Sequence, residues 1–166
     1  MFKVKYIINR LGVISGPWQF GKQEQGFVSL WIWNHLVKRK LKYIGFGGKG
    51  YQVRDVIHID DVCELILRQI KSFSRNYNLL FNVGGGKKNA ISLRDLTKKC
   101  EKFTSHSIKF SSYKSTSIYD IPYFVTDNSK VTNLYKWKPI KGIDEIIFET
   151  YMWMKSNKKK LESYFK

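Results

Sequence analysis

What the sequence has little of limits it first. Cysteine occurs only at Cys63 and Cys100, far apart and without Cys-x-x-Cys spacing, which excludes a disulfide framework and a cysteine zinc site. Both thiols are expected to be buried and reduced inside helices. His35, His58 and His106 are equally scattered, so no metal constellation is legible and each is expected to be structural or superficial. No apolar run approaches the roughly 20 residues of a membrane span, and no signal-peptide order of basic segment, apolar core and small-residue cleavage site opens the chain. The expectation is a cytoplasmic protein with no membrane partner. Acid is scarce as well: 13 Asp and Glu stand against 30 Lys and Arg, a formal net charge of +17.

That surplus has two readings. It either attracts a polyanion or reflects a coding bias toward Lys, Asn and Ile. Only six of the 30 basic residues are arginines, and the lysines are dispersed in pairs such as Lys87-Lys88 and in the tail Lys158-Lys159-Lys160. Dispersed lysines suit solvated faces better than one binding stripe, so nucleic acid is not the favoured partner. The 166 residues, 43% apolar and 16% aromatic, are enough for one globular domain with a real core.

The stretch Asn9 to Gly26 organises the rest. An apolar run, Phe2 to Ile14, predicts one strand buried at its far end; Gly16-Pro17 turns it, and a polar loop feeds an apolar helix. The carboxyl end of a strand opening into such a loop is where α/β proteins place ligands. A chain that opens on a buried strand looks as if its sheet partners are missing. Glu24 to Lys38 predicts a helix too broadly apolar to lie at a surface, closed by Lys38-Arg39-Lys40. Gly45-Phe46-Gly47-Gly48-Lys49-Gly50 matches no phosphate-loop spacing and predicts a hairpin turn.

Gln52 to Ile59 alternates as a half-buried strand, with Asp60 or Asp61 capping a helix from Val62 to Phe73. Arg54 in that strand is either an ion-pair partner or the fork that clamps a ligand phosphate. Leu79 to Val83 is another strand, and its Gly84-Gly85-Gly86 end reads as a flexible turn rather than an anion site. Ser92 and Asp95 open a helix from Leu93 to Phe103. Ser107 to Ser112 and Tyr123 to Thr126 predict short strands, Asp127 caps a helix to Tyr135, and Ile143 to Ser156 forms the last amphipathic helix.

These segments carry a resemblance. Arg10 to Gly26 with Gly-Pro-Trp-Gln-Phe-Gly, Tyr43 to Gly48, Gln52 to Asp61, Phe81 to Gly86, Ser92-Leu93, Asp127 to Lys130 and Trp137-Lys138-Pro139 resemble, in order, the C-terminal part of the extended short-chain dehydrogenase/reductase family of nucleotide-sugar epimerases and dehydratases. Within it they look most like the CDP-paratose (CDP-tyvelose) 2-epimerase-like proteins. The resemblance implies an α/β fold: an incomplete Rossmann-type unit, the last sheet strands plus a small α/β lobe. Residues 1–166 would then be the substrate-binding part, without the N-terminal Rossmann half that holds NAD.

By the same resemblance Gly16, Pro17, Gln19, Phe20, Gln25, Gly26 and Tyr43 line the nucleotide-sugar pocket, and Val13 and Ile14 form the wall beside the nicotinamide. Arg54 meets the nucleotide or its phosphates. A second family arginine has Ser117 as its equivalent here, with Lys114 nearby as a point charge. The family's Gly-x-x-Gly-x-x-Gly loop and catalytic Tyr-x-x-x-Lys lie N-terminal to the matched region. Where a tyrosine here has a lysine four residues on, its helix or loop context is wrong for that pair, so no catalytic residue is nominated. The implied function is the nucleotide-sugar-binding half of an NAD-dependent epimerase, either a fragment or one piece of a split enzyme whose Rossmann piece is separately encoded. It would be inactive alone, take a CDP-sugar and bind NAD only with the missing N-terminal half. The alternative is a stand-alone module binding a nucleotide-sugar or a polyanion without catalysis.

Overall fold

The computed structural model describes residues 3–22 and 25–165. The order is β1 (Ile7–Leu11), β2 (Val13–Ser15), α1 (Phe27–Leu36), β3 (Leu41–Ile44), β4 (Val53–His58), α2 (Ile59–Ser72), β5 (Leu79–Val83), β6 (Ala90–Ser92), α3 (Leu93–Thr104), β7 (Phe110–Tyr113), β8 (Tyr123–Phe124), α4 (Ser129–Tyr135), α5 (Ile143–Ser156) and α6 (Lys158–Leu161). It is an α/β architecture in which, among the described residues, every ladder but one is parallel. β1 runs beside β5, β3 beside β7, and β4 is flanked by β2, β8 and the antiparallel β6.

The single opening strand is divided instead at Gly12. Ile7 to Leu11 pairs with Leu79 to Val83, whereas Val13 to Ser15 crosses to Val56 to His58. A side chain at Gly12 would meet Thr126 Oγ1 at 3.1 Å, a close approach that glycine accommodates at this crossing. The start expected at Phe2, like the helix start expected at Glu24, lies outside the described residues. The turn from Gly45 to Gly50 is no hairpin. Its strands, β3 and β4, belong to different sheets, and a short 3₁₀ turn at Phe46–Gly48 carries the chain between them.

Two cores hold this together. In the first, α1 is clasped by α3 and α5, burying Val28, Trp31, Ile32 and Trp33 against Leu96, Ile146, Ile147 and Met154. Seven of its ten residues are buried, which is why its sequence is apolar on nearly every side. The second core packs Ile57, Val62 and Leu65 against Phe81, Val83, Val131 and Trp137.

The helix after β4 starts at Ile59, and its cap is His58, whose side chain accepts from the Asp60 amide at 3.0 Å. Asp61 turns inward instead and accepts from the amides of Ile140 and Lys141 at 3.1 and 3.2 Å, clamping the chain between α4 and α5. Asp127 likewise accepts from Ser129 while Asn128 holds the cap position. Cys100 is buried and its thiol is pushed up by desolvation, but Cys63 is exposed on α2, contrary to expectation, because it sits outside the buried stripe Val62, Leu65 and Gln69. The boundaries read from sequence locate β5, α3 and α5 to within a residue of their ends.

Candidate functional site

A groove of about 1400 Å³ opens beside the start of β4, bounded by the loop before α1, β3 and the chain between β7 and β8. Among the described residues that line it, Lys22, Arg39, Lys40, Lys42 and Arg54 are basic and Asp120 is the one acid. Such a lining favours an anionic ligand. Apolar walls come from Val13, Ile91 and Leu93, with Tyr119 on the rim.

The structure brings only some of the expected residues to this groove. Val13, Gln25, Gly26 and Arg54 line it. Ile14 points into the second core. Gly16 is buried over His58 and Ile59, where an added side chain would stand 2.8 Å from Ile59, and Pro17 follows half-buried. Gln19 ties its loop together: its amide nitrogen donates to the Ile14 carbonyl at 2.6 Å, and its oxygen accepts from Ser29 at 2.7 Å. Phe20 packs among Trp153, Tyr164 and Phe165. Tyr43 stacks on Phe110 with ring centroids 4.7 Å apart and shares a hydrogen bond with Thr97 at 2.7 Å; burial raises its hydroxyl above the ordinary tyrosine range.

Arg54 realises one of the two roles open to it in sequence while keeping its place at the groove. Its Nη2 meets Asp120 Oδ1 at 2.6 Å, and its Nη1 donates to the Val53 carbonyl at 2.8 Å. Asp120 is 66 residues away, so nothing local in the sequence signals the pair. The neighbouring Asp55 is fully buried and satisfied, accepting from the Gly86 amide at 2.8 Å and from Thr126 Oγ1 at 3.2 Å.

Those contacts explain the triple glycine. The Gly84 amide donates to Asn128 and the Gly86 amide to Asp55, and a side chain at Gly85 would stand 2.0 Å from the Val56 carbonyl oxygen. The turn is a packed junction in which the Gly84 and Gly86 amides are already engaged, so those two are not free to cradle a phosphate.

A second polar group lies under the Gly16 turn. His58, Asp60 and Glu149 bring ligand-type atoms within 4.8 Å of one another. Lys141 Nζ sits among them, 3.0 Å from Asp60 and 2.6 Å from Glu149, so an ammonium already supplies the positive charge a metal would bring. Desolvation lowers the His58 pKa, with Lys141 adding to the effect. Burial also lowers Lys141, but its bonds to Glu149 and Asp60 outweigh that and raise it. Tyr151 and Lys155 have Tyr-x-x-x-Lys spacing on α5, but the lysine lies over the tyrosine ring at 5.6 Å and the ring packs on the first core. Among the described residues no helix is long and apolar enough to cross a membrane.

Comparison with known proteins fits this architecture. Residues 1–84 match the NAD-dependent epimerase/dehydratase family. Over 159 residues the chain is 29% identical to the CDP-paratose 2-epimerase of Salmonella typhi, covering 94% of this chain and 46% of that protein. UDP-glucose 4-epimerase of Thermotoga maritima, solved with UDP-glucose, superposes with a TM-score of 0.77 at 24% identity, over 96% of this chain and 48% of the other. UDP-glucuronic acid 4-epimerase of Bacillus cereus, solved with UDP-glucuronic acid and NAD, gives 0.75 at 23%, over 90% and 45%. The chain thus spans about half the length of these relatives.

Proposed function

The chain belongs to the NAD-dependent epimerase/dehydratase family, and from that premise we propose that it is the nucleotide-sugar-binding part of a CDP-paratose 2-epimerase-like enzyme. The observation that carries this reading is Arg54, a guanidinium set at the mouth of a groove whose described charged lining is otherwise basic except for Asp120. A guanidinium binds phosphate oxygens through paired, charge-assisted hydrogen bonds. Apolar Val13, Ile91 and Leu93 supply surface for a sugar or base beside that charge.

Among the described residues, two places that could have served a dinucleotide are already engaged. Ile14 is consumed by the core, and the glycine-rich turn at Gly84–Gly86 spends its amides on Asn128 and Asp55. NAD is therefore proposed to sit on a Rossmann part that joins this one, and the chain alone is proposed not to turn over substrate. A face suited to such a partner is present. Among the described residues β1 has β5 as its single ladder partner, and Tyr6, Ile8 and Leu11 are exposed beside it. On α2, Ile66, Leu67 and Ile70 form a second exposed apolar stripe.

Calorimetric titration with CDP, UDP and CDP-sugars tests the reading. Heat with CDP-sugars that falls at least tenfold in affinity in Arg54→Ala supports it, and no heat at millimolar ligand overturns it. Turnover of a CDP-sugar by the isolated chain with NAD would overturn the division of labour.

A further inference from the structure

We infer that Asp120 is an internal competitor for the ligand's phosphate: its carboxylate occupies Arg54 in the free protein and must be displaced on binding. The inference rests on the reading of Arg54 as the phosphate clamp. It adds a residue that sets how tightly any anion is held there.

The geometry is built rather than incidental. Asp120 lies on a turn closed by its own amide donating to the Ser117 carbonyl at 3.0 Å, and its Oδ1 accepts from the Ile121 amide at 3.0 Å as well as from Arg54. The segment is pinned on both sides. The Phe46 amide donates to Thr116 Oγ1 at 2.7 Å, and the Val53 amide, next to Arg54, donates to the Pro122 carbonyl at 2.9 Å. The β4–β8 register, Val53 opposite Tyr123 and Arg54 opposite Phe124, then fixes where guanidinium and carboxylate meet.

Charge distribution makes the contact specific. Asp120 is the sole acid among the described groove-lining residues, yet it stands on Arg54, while Lys22, Lys40 and Lys42 line the groove without it. The side chains of the pair are 22% and 37% exposed, open enough for a ligand oxyanion to exchange with the carboxylate. An exposed pair of this kind is worth at most about a fivefold factor, so it lowers affinity without blocking the site. A ligand that avoids Arg54 loses nothing, and one that uses it must compete.

The test is a double-mutant cycle with inorganic pyrophosphate and with CDP as probes, at low salt, on Asp120→Asn, Asp120→Ala, Arg54→Ala and the combined variants. Thermal unfolding confirms that each variant is folded. Asp120→Asn and Asp120→Ala are expected to tighten pyrophosphate about three- to fivefold, and that gain is expected to vanish in the Arg54→Ala background. Weaker binding on losing Asp120, no change from wild type including no binding by any variant, or the same gain without Arg54 would each overturn the inference. If the pyrophosphate gain is as expected but CDP binds no tighter than pyrophosphate, the competition stands and the nucleotide-sugar reading fails.

Discussion

β4 and β1 are both apolar strands, and they end in opposite situations. β4 has β2, β6 and β8 around it, and Asp55, Val56, Ile57 and His58 are all buried. β1 has β5, and Ile8 and Leu11 remain exposed. A strand's alternation decides which residues share a face, whereas burial depends on how many elements arrive to cover that face. The well-covered strand carries Arg54 at its half-buried start, where it lines the groove. The poorly covered one offers a surface.

Substitutions measure that contrast directly. Trp33→Ala, in the fully buried first core that also takes in Val56 of β4, is expected to cost about 3–5 kcal/mol, whereas Ile8→Ala on β1 should stay within about 0.5 kcal/mol in urea unfolding. Equal losses would end the distinction. Gly85→Ala comes next: its new methyl group would collide with the Val56 backbone, and a loss of about 2–3 kcal/mol is expected by the same measurement.

Acid should act on the covered side as well. His35 and His58 are both buried with pKa values lowered from 6.5, so the unfolded chain binds protons that the folded chain refuses. Their contribution is complete above about pH 6.5 and is lost as pH falls below it. The groups facing them are Glu101 and His106 for His35, and Lys141, Asp60, Glu149 and Asp61 for His58. Melting temperature is expected to fall between pH 7.5 and 5.5, and His58→Gln is expected to flatten that slope. The smallest effect on stability belongs to the uncovered side. Leu67→Glu with Ile70→Glu should change the free energy of unfolding by no more than about 1 kcal/mol for the pair in urea unfolding, because both side chains are exposed.

Much of this was legible locally. Strand β5 was legible at its observed ends, Ser92 and Asp95 gave the start of α3, and the breadth of apolar character in α1 signalled a helix enclosed on most sides. By contrast β4, which alternates in sequence as a half-buried strand, has Asp55 to His58 all buried because β2, β6 and β8 surround it. Boundaries failed where a residue's role was set from a distance. The first strand divides at Gly12 because its two halves find different partners, Leu79 to Val83 and Val56 to His58, and Asp61 leaves its own helix cap because two backbone amides 79 and 80 residues away claim its oxygens.

The sequence by itself determined the α/β class, the periods of most elements, the cationic excess and the family likeness, since each of these resides in neighbouring residues or in their order. Only the tertiary structure decided that Gln19 and Tyr43 have internal partners, that the triple glycine is a packed junction, and that Arg54 is held by Asp120. Those outcomes depend on which groups meet across tens of residues. Hydrogen bonds and ion pairs form within about 3 Å, and only the folded chain brings such distant groups that close.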